Sequence, residues 1–242
     1  MLELRDVGKR YGGVSALDGV SFTVDAGEIV GLMGANGAGK TTLFELIAGN
    51  SRPTAGDVLL EGSSLVGLRP DQIARRGVTR AFQIVRPFSG LSVLENAQIA
   101  ALFGTQRRAI NAAETTAKEA LAAVGLADRA GDFASDLTLS GQKRLEIARA
   151  IATGARLMLI DEVMAGLTPP EVGEMIAILQ TLRRERALTL VVIEHVMRAL
   201  MQLSDRIIVL HLGRCIAQGT PTAIAADRQV SDVYFGKDAA DA

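Results

Sequence analysis

The sequence has no tryptophan, only 4% aromatic residues and a single cysteine, Cys215. One cysteine excludes an internal disulfide framework and a cysteine-based metal cluster. It fits a reducing compartment, with the residue itself expected as a small hydrophobe in a strand. There is also no excess of positive charge: 26 Lys and Arg face 27 Asp and Glu, for a net charge of −1. Nucleic-acid binding normally requires a basic surface, so that class is disfavoured. No apolar stretch reaches the roughly 18 residues of a membrane span without a charge. The opening segment Met1-Leu2-Glu3-Leu4-Arg5-Asp6 lacks the apolar run of a signal peptide. The expectation is a soluble, cytosolic chain that reaches any membrane only by docking to a partner.

The 242 residues are 48% hydrophobic, enough for one large domain or two small ones. Their organising stretch is Gly34-Ala35-Asn36-Gly37-Ala38-Gly39-Lys40-Thr41-Thr42, which fits the phosphate-binding pattern G-x-x-x-x-G-K-[ST]. The apolar run Glu28 to Met33 before it reads as a buried strand. Leu43 to Gly49 after it reads as a helix closed by a glycine. Glycines let the backbone curl so that successive N–H groups converge on one anion, and the helix adds the positive end of its dipole. Lys40 suits the β- and γ-phosphates of a nucleotide, and the Thr41 hydroxyl suits Mg²⁺.

Upstream, Leu2 to Val7 and Ala16 to Val24 read as strands joined through a turn at Lys9 to Gly13. This hairpin-rich opening predicts an antiparallel sheet against the nucleotide core. Tyr11, in that turn, is either an adenine-stacking ring or an ordinary turn tyrosine. Pro53 to Asp57 reads as a turn, Val58 to Gly62 as a strand, Pro70 to Arg76 as a helix start and Val78 to Gln83 as a strand. From about 84 to 155 the pattern turns helical, with helices over Val93 to Leu102, Ala109 to Val124 and Asp136 to Gly154. The α/β pattern then resumes. Arg156 to Glu162 is a continuous apolar run ending in two acids, as suits a strand buried on both faces of a parallel sheet. Pro169 to Arg186 is a helix, Leu188 to Ile193 a second buried strand and Val196 to Leu203 a helix. Ile207 to His211 and Cys215 to Gln218 form a closing hairpin. Lys237 to Ala242 is expected to fray.

In open parallel sheets, ligands bind at the carboxyl ends of strands. That places Asp161 and Glu162 near the γ-phosphate, Asp161 to hold Mg²⁺ and Glu162 to polarise an attacking water. His195 also follows a buried strand and is placed to hydrogen-bond the γ-phosphate. Gln83, at another strand end, is a candidate contact to Mg²⁺ or the attacking water. His211 is assigned no role.

Together, Tyr11, the loop 34–42, Gln83, Leu137 to Arg149, Leu157 to Glu162 and His195 make the chain resemble the nucleotide-binding subunit of ABC transporters over nearly its whole length. Gly77 to Gln83, Leu91 to Asn96 and Leu145 to Ala150 look most like the ATP-binding subunits of branched-chain amino-acid importers. The resemblance implies an α/β fold: a P-loop NTPase core with an N-terminal antiparallel β subdomain (residues 1–83 and 156–242) and an inserted α-helical subdomain (84–155). It favours adenine stacking by Tyr11. It also implies an ATPase using ATP and Mg²⁺ that powers solute uptake from the inner face of the cell membrane. Its partners would be permease subunits, met through Ile84 to Ser89, and a second ATP-binding subunit in a homo- or heterodimer; a solute-binding protein would act indirectly. Each ATP would lie between one subunit's phosphate loop and the other's signature segment.

Counted back from Arg149 without a gap, the family's L-S-G-G-Q falls on Leu137-Thr138-Leu139-Ser140-Gly141, which assigns Thr138, Ser140 and Gly141 to nucleotide. The alternative is Leu139-Ser140-Gly141-Gln142 with one residue missing. Two further departures are Val163 in place of a usual proline and Thr168 in place of a usual aspartate. A soluble, non-transport ABC ATPase is the alternative function, but such proteins usually carry long coiled coils or a second copy of the domain, and neither is present. A GTPase would want an Asn-Lys-x-Asp motif, which the chain lacks.

Overall fold

The computed structural model describes residues 1–81, 87–106 and 108–235. The chain folds into two compact units, Met1–Pro70 with Thr189–Ala242, and Asp71–Leu188.

The first unit opens with β1 (Leu2–Tyr11) and β2 (Val14–Val24), followed by β3 (Ile29–Met33), α1 (Lys40–Ile47), β4 (Ala55–Leu60) and the short β5 (Ser63–Ser64). β1 runs on through Lys9, Arg10 and Tyr11, where a turn was expected. Tyr11 pairs with Val14, so the turn shrinks to Gly12-Gly13, with Gly12 at φ 57°. A two-residue hairpin loop needs such left-handed positions. The exposed polar residues before it hide the strand because no buried face marks their alternation. Likewise β4 begins at Ala55, inside the stretch read as a turn. The strand order is β2-β1-β4-β5, antiparallel throughout, as expected for the opening of the chain.

The second unit takes up α2 (Pro70–Arg75), β6 (Val78–Ala81), α3 (Val93–Leu102), α4 (Ile110–Ala123), α5 (Leu139–Ala152), β7 (Leu157–Asp161) and α6 (Pro169–Arg186). β6 and β7 pair in parallel. α3 starts at a capping box: the Ser92 hydroxyl accepts from the Glu95 amide, and the Glu95 carboxylate accepts from the Ser92 amide. α4 presents Ala113, Ala117, Ala120 and Leu121, all fully buried at i, i+4, i+7 and i+8. α4 packs against α3 and α5, and the alanines Ala113, Ala117 and Ala120, with Ala97 and Ala101 of α3, are all fully buried. α5 begins three residues later than its apolar pattern suggests, because Thr138 caps it.

The chain then returns to the first unit with β8 (Thr189–Ile193), α7 (Met197–Leu203), β9 (Arg206–His211), β10 (Arg214–Gly219), α8 (Pro221–Ala225) and α9 (Arg228–Phe235). β3 lies between β8 and β9 and is parallel to both; β10 folds back antiparallel on β9. Every residue of β3 and β8 is buried, as suits two strands without a charged residue. Cys215 sits half-buried on β10, its thiol donating to the Ala217 carbonyl at 3.7 Å, and burial raises its pKa. The segment Lys237 to Ala242, expected to fray, lies outside the described residues.

One ion pair ties β9 to the start of β3. Arg206 donates from Nε to Glu28 at 2.8 Å and from a terminal nitrogen to the Thr23 carbonyl at 2.6 Å. Burial alone would raise the Glu28 carboxyl, but the Arg206 hydrogen bond, the Asp25 amide and the attraction of Arg206 together hold it below its ordinary 4.5. A carboxyl lowered by folding stabilises the fold above its unfolded value and loses that contribution as pH falls through the folded one. At neutral pH, Glu28→Gln should lower the melting temperature by about 2–4 °C, the shift for a partly screened pair worth roughly 1 kcal/mol. The gap to the parent should close below pH 4.5, as thermal melts across pH will show.

Candidate nucleotide site

In the first unit Leu32 pairs with Ile193 of β8 and Met33 with Val209 of β9, so the carboxyl ends of the three strands are aligned. The loop 34–39 leaves from that edge. Gly37 and Gly39 take φ of 80° and 105°, which only glycine adopts without strain. Two close approaches fix the curl. A Cβ on Gly34 would lie 2.7 Å from the Leu210 carbonyl oxygen, and one on Gly39 would lie 2.7 Å from that of Ala16. The amide of Gly213, in the β9–β10 turn, donates to the Ala38 carbonyl at 3.1 Å, and the Asp18 amide donates to Gly213 at 2.8 Å. The loop is therefore clamped between β2 and the closing hairpin.

Lys40, Thr41 and Thr42 already belong to the first turn of α1, earlier than the helix was expected to start. Lys40 is 7% exposed, and its ammonium donates to the carbonyls of Gly34 at 2.5 Å and Ala35 at 3.0 Å. That holds a cation within the curl of the loop. Asn36, Gly37 and Thr41 are exposed at its rim, while Ala38 is buried beneath. Two more expected residues belong to this unit. Tyr11 ends β1 half-exposed, its hydroxyl donating to Glu45 of α1 at 3.4 Å and the Lys9 ammonium 4.7 Å from its ring centroid. His195 follows β8 by two residues, at the strand edge from which the loop departs, and is exposed.

The second unit holds the acidic and signature segments. Asp161 ends β7, 6% exposed, in contact with the guanidinium of Arg80 from β6. Glu162 turns into the left-handed region at φ 52°, and Lys143, 3% exposed, donates to its carbonyl at 3.4 Å. Val163 fills a buried position at 1% exposure. The hydroxyl of Thr138 accepts from the Gly141 amide at 3.2 Å and so caps α5, with Ser140 buried in the first turn and Leu139 48% exposed. Thr138 thus occupies the cap, with Ser140 the second residue of the helix. Thr168 starts α6 with a capping box: its amide and hydroxyl donate to the Glu171 carboxylate at 2.8 and 2.7 Å, holding that carboxyl below its ordinary value. Threonine suits this position because it caps. Gln83 and residues 84–86 of the expected permease contact lie outside the described residues; Phe88, in the remainder, is pinned by Asn96, whose side chain accepts from its amide at 2.8 Å and donates to its carbonyl at 3.1 Å.

Compared with known proteins, residues 17–165 match the ABC transporter family. The chain belongs to that family. It is 37% identical to the high-affinity branched-chain amino acid transport ATP-binding protein BraF of Pseudomonas aeruginosa and 38% identical to LivG of Escherichia coli K12, covering 98% of both partners in each case. Among solved structures it matches the ATP-binding cassette MJ1267 in its ADP conformation, with 26% identity, a TM-score of 0.88 and 98% and 99% of the two chains covered. The dimeric cassette MJ0796 matches at 27% identity and a TM-score of 0.80, with 91% of this chain and 99% of that one covered. An ABC cassette binds nucleotide.

Sequence reading alone passed over two buried cations, Arg80 and Lys143. Arg80 carried a signal, the one charged residue in a strand that begins and ends apolar. Lys143 carried none, since a lysine in a helix reads as solvated. The two glycines of the curl differ in a measurable way. Gly37 has open space where a Cβ would stand, whereas Gly39 does not. Gly37→Ala should cost about 1–2 kcal/mol of backbone strain, and Gly39→Ala should cost more because it adds a clash. Chemical denaturation of the two variants tests the ranking; equal losses would contradict the clamp at Ala16.

Proposed function

We propose that this cassette hydrolyses ATP to drive the import of a small solute, branched-chain amino acids, through permease subunits at the inner face of the membrane. The observation that carries this reading is the 37–38% identity to BraF and LivG over 98% of each chain. Among the described residues no helix is long and apolar enough to cross a membrane, so the pathway for solute would belong to partner subunits. The helical segment 84–155, with Ile84 to Ser89 in front, is the part assigned to them. A solute-binding protein would deliver the substrate to the permeases.

The residues divide the work by their chemistry. The amides of 34–42 and the Lys40 ammonium bind the phosphates, and Tyr11 stacks on adenine. Hard oxygen donors suit Mg²⁺, and the chain offers the exposed Thr41 hydroxyl and the Asp161 carboxylate, already in contact with a cation, Arg80. Mg²⁺, when bound, neutralises charge on the β- and γ-phosphates. Glu162 accepts a proton from the attacking water, with Gln83 and His195 orienting water and γ-phosphate. A second cassette supplies Thr138, Ser140 and Gly141 against the same nucleotide, so ATP favours the closed dimer over the open one. The dimeric MJ0796 cassette supports that arrangement.

Glu162→Gln removes the base and leaves the binding groups in place. It should bind ATP as the parent does, hydrolyse it about 10²–10⁴-fold more slowly, and elute as a dimer in ATP. Phosphate release and size-exclusion chromatography read the outcome; parental turnover would reject Glu162 as the base.

A further inference from the structure

Arg80 belongs to none of the segments assigned to nucleotide, yet it meets the carboxylate expected to receive the metal. The contact is built into the strand register. Arg80 of β6 stands opposite Leu159 of β7. Side chains on a strand alternate between faces, so Arg80, Leu159 and Asp161 project from the same face, and Arg80 meets Asp161 on the diagonal. Both side chains are almost fully enclosed, at 10% and 9% exposure. A carboxylate so enclosed is costly without a counter-charge, and the guanidinium supplies one.

We propose that Arg80 is the resident counter-ion of Asp161 and exchanges with Mg²⁺ when Mg·ATP binds, so that it sets how strongly the metal enhances nucleotide binding. This rests on the assignment of Asp161 to the metal. A divalent cation arriving at Asp161 meets a carboxylate already neutralised by a guanidinium. It must displace Arg80 to the side or share the carboxylate with a like charge a few ångströms away, and either lowers its affinity. Arg80 is thus a positioning residue that acts on the metal through Asp161. The cation is the right kind for such a role: a guanidinium keeps its charge at every physiological pH, and a terminal nitrogen of Arg80 meets the Oδ2 of Asp161.

The test is ATP binding to the full-length protein, measured by calorimetry in excess Mg²⁺ and again in EDTA, with the ratio of the two affinities as the readout. For Arg80→Gln the ratio should rise about ten-fold over the parent, the scale expected for removing one positive charge beside a divalent ion. The affinity in EDTA should stay within about two-fold, because no metal competes there. An unchanged or lower ratio overturns the exchange. Should Arg80→Gln fail to fold, Arg80→Lys carries the test. Its charge stands farther from the carboxylate, so its ratio should rise in the same direction by a smaller factor, and a ratio at or below the parental one overturns the proposal. Asp161→Asn separates the two readings. It should abolish most of the Mg²⁺ enhancement. If it leaves the parental ratio intact, the assignment of Asp161 itself is wrong. If it abolishes the enhancement while the Arg80 variants do not raise the ratio, only the exchange fails.

Discussion

The site depends on how tightly the backbone at residues 34–39 is clamped. Gly34 and Gly39 leave no room for a Cβ, because carbonyl oxygens of Leu210 and Ala16 come within contact of the curl. Those oxygens come from elements far apart in sequence, β9 and β2. The loop conformation is therefore a product of tertiary packing as well as of glycine content. The buried strands β3, β8 and β9 bring their carboxyl ends level, and the β9–β10 turn fastens the loop through Gly213. The phosphate site proposed for these amides needs this rigidity, since its donors are useful only when they point to one place before the ligand arrives.

The second unit meets its own requirement differently. Its acids sit at the end of a fully buried strand, where an isolated carboxylate would be costly. Arg80 neutralises Asp161, and Lys143 reaches the carbonyl of Glu162 as the chain turns through a left-handed conformation. Around them, short-range caps do the local work: Thr138 on α5 and Thr168 on α6. At α5 the Thr138 hydroxyl accepts from the Gly141 amide, and at α6 the Thr168 amide and hydroxyl donate to the Glu171 carboxylate.

Much of this was legible in the sequence, and the exceptions have physical reasons. The strand–loop–helix around residue 40 could be read because a buried strand is continuously apolar and the loop pattern is nearly unique. α3 and α6 matched their expected limits because capping residues and apolar periodicity agree there. β1 was read too short because Lys9, Arg10 and Tyr11 carry no buried face. α5 was read too long at its start because Asp136 and Thr138 both suit a helix start, and only geometry shows that Thr138 is the cap. α8 and α9 were not anticipated, the first being too short to show a period. The Arg80–Asp161 contact joins positions 80 and 161, and no local pattern marks such a pair.

The central claim is that the clamped loop and its lysine bind the phosphates of ATP. Lys40→Met keeps the aliphatic stem and removes the charge, so calorimetric titration with Mg·ATP tests it most directly. A buried charge-assisted contact is worth about 1.5–3 kcal/mol, so affinity should fall roughly ten- to a hundred-fold while the fold, followed by circular dichroism, persists. Undiminished affinity in a folded Lys40→Met protein would contradict the account.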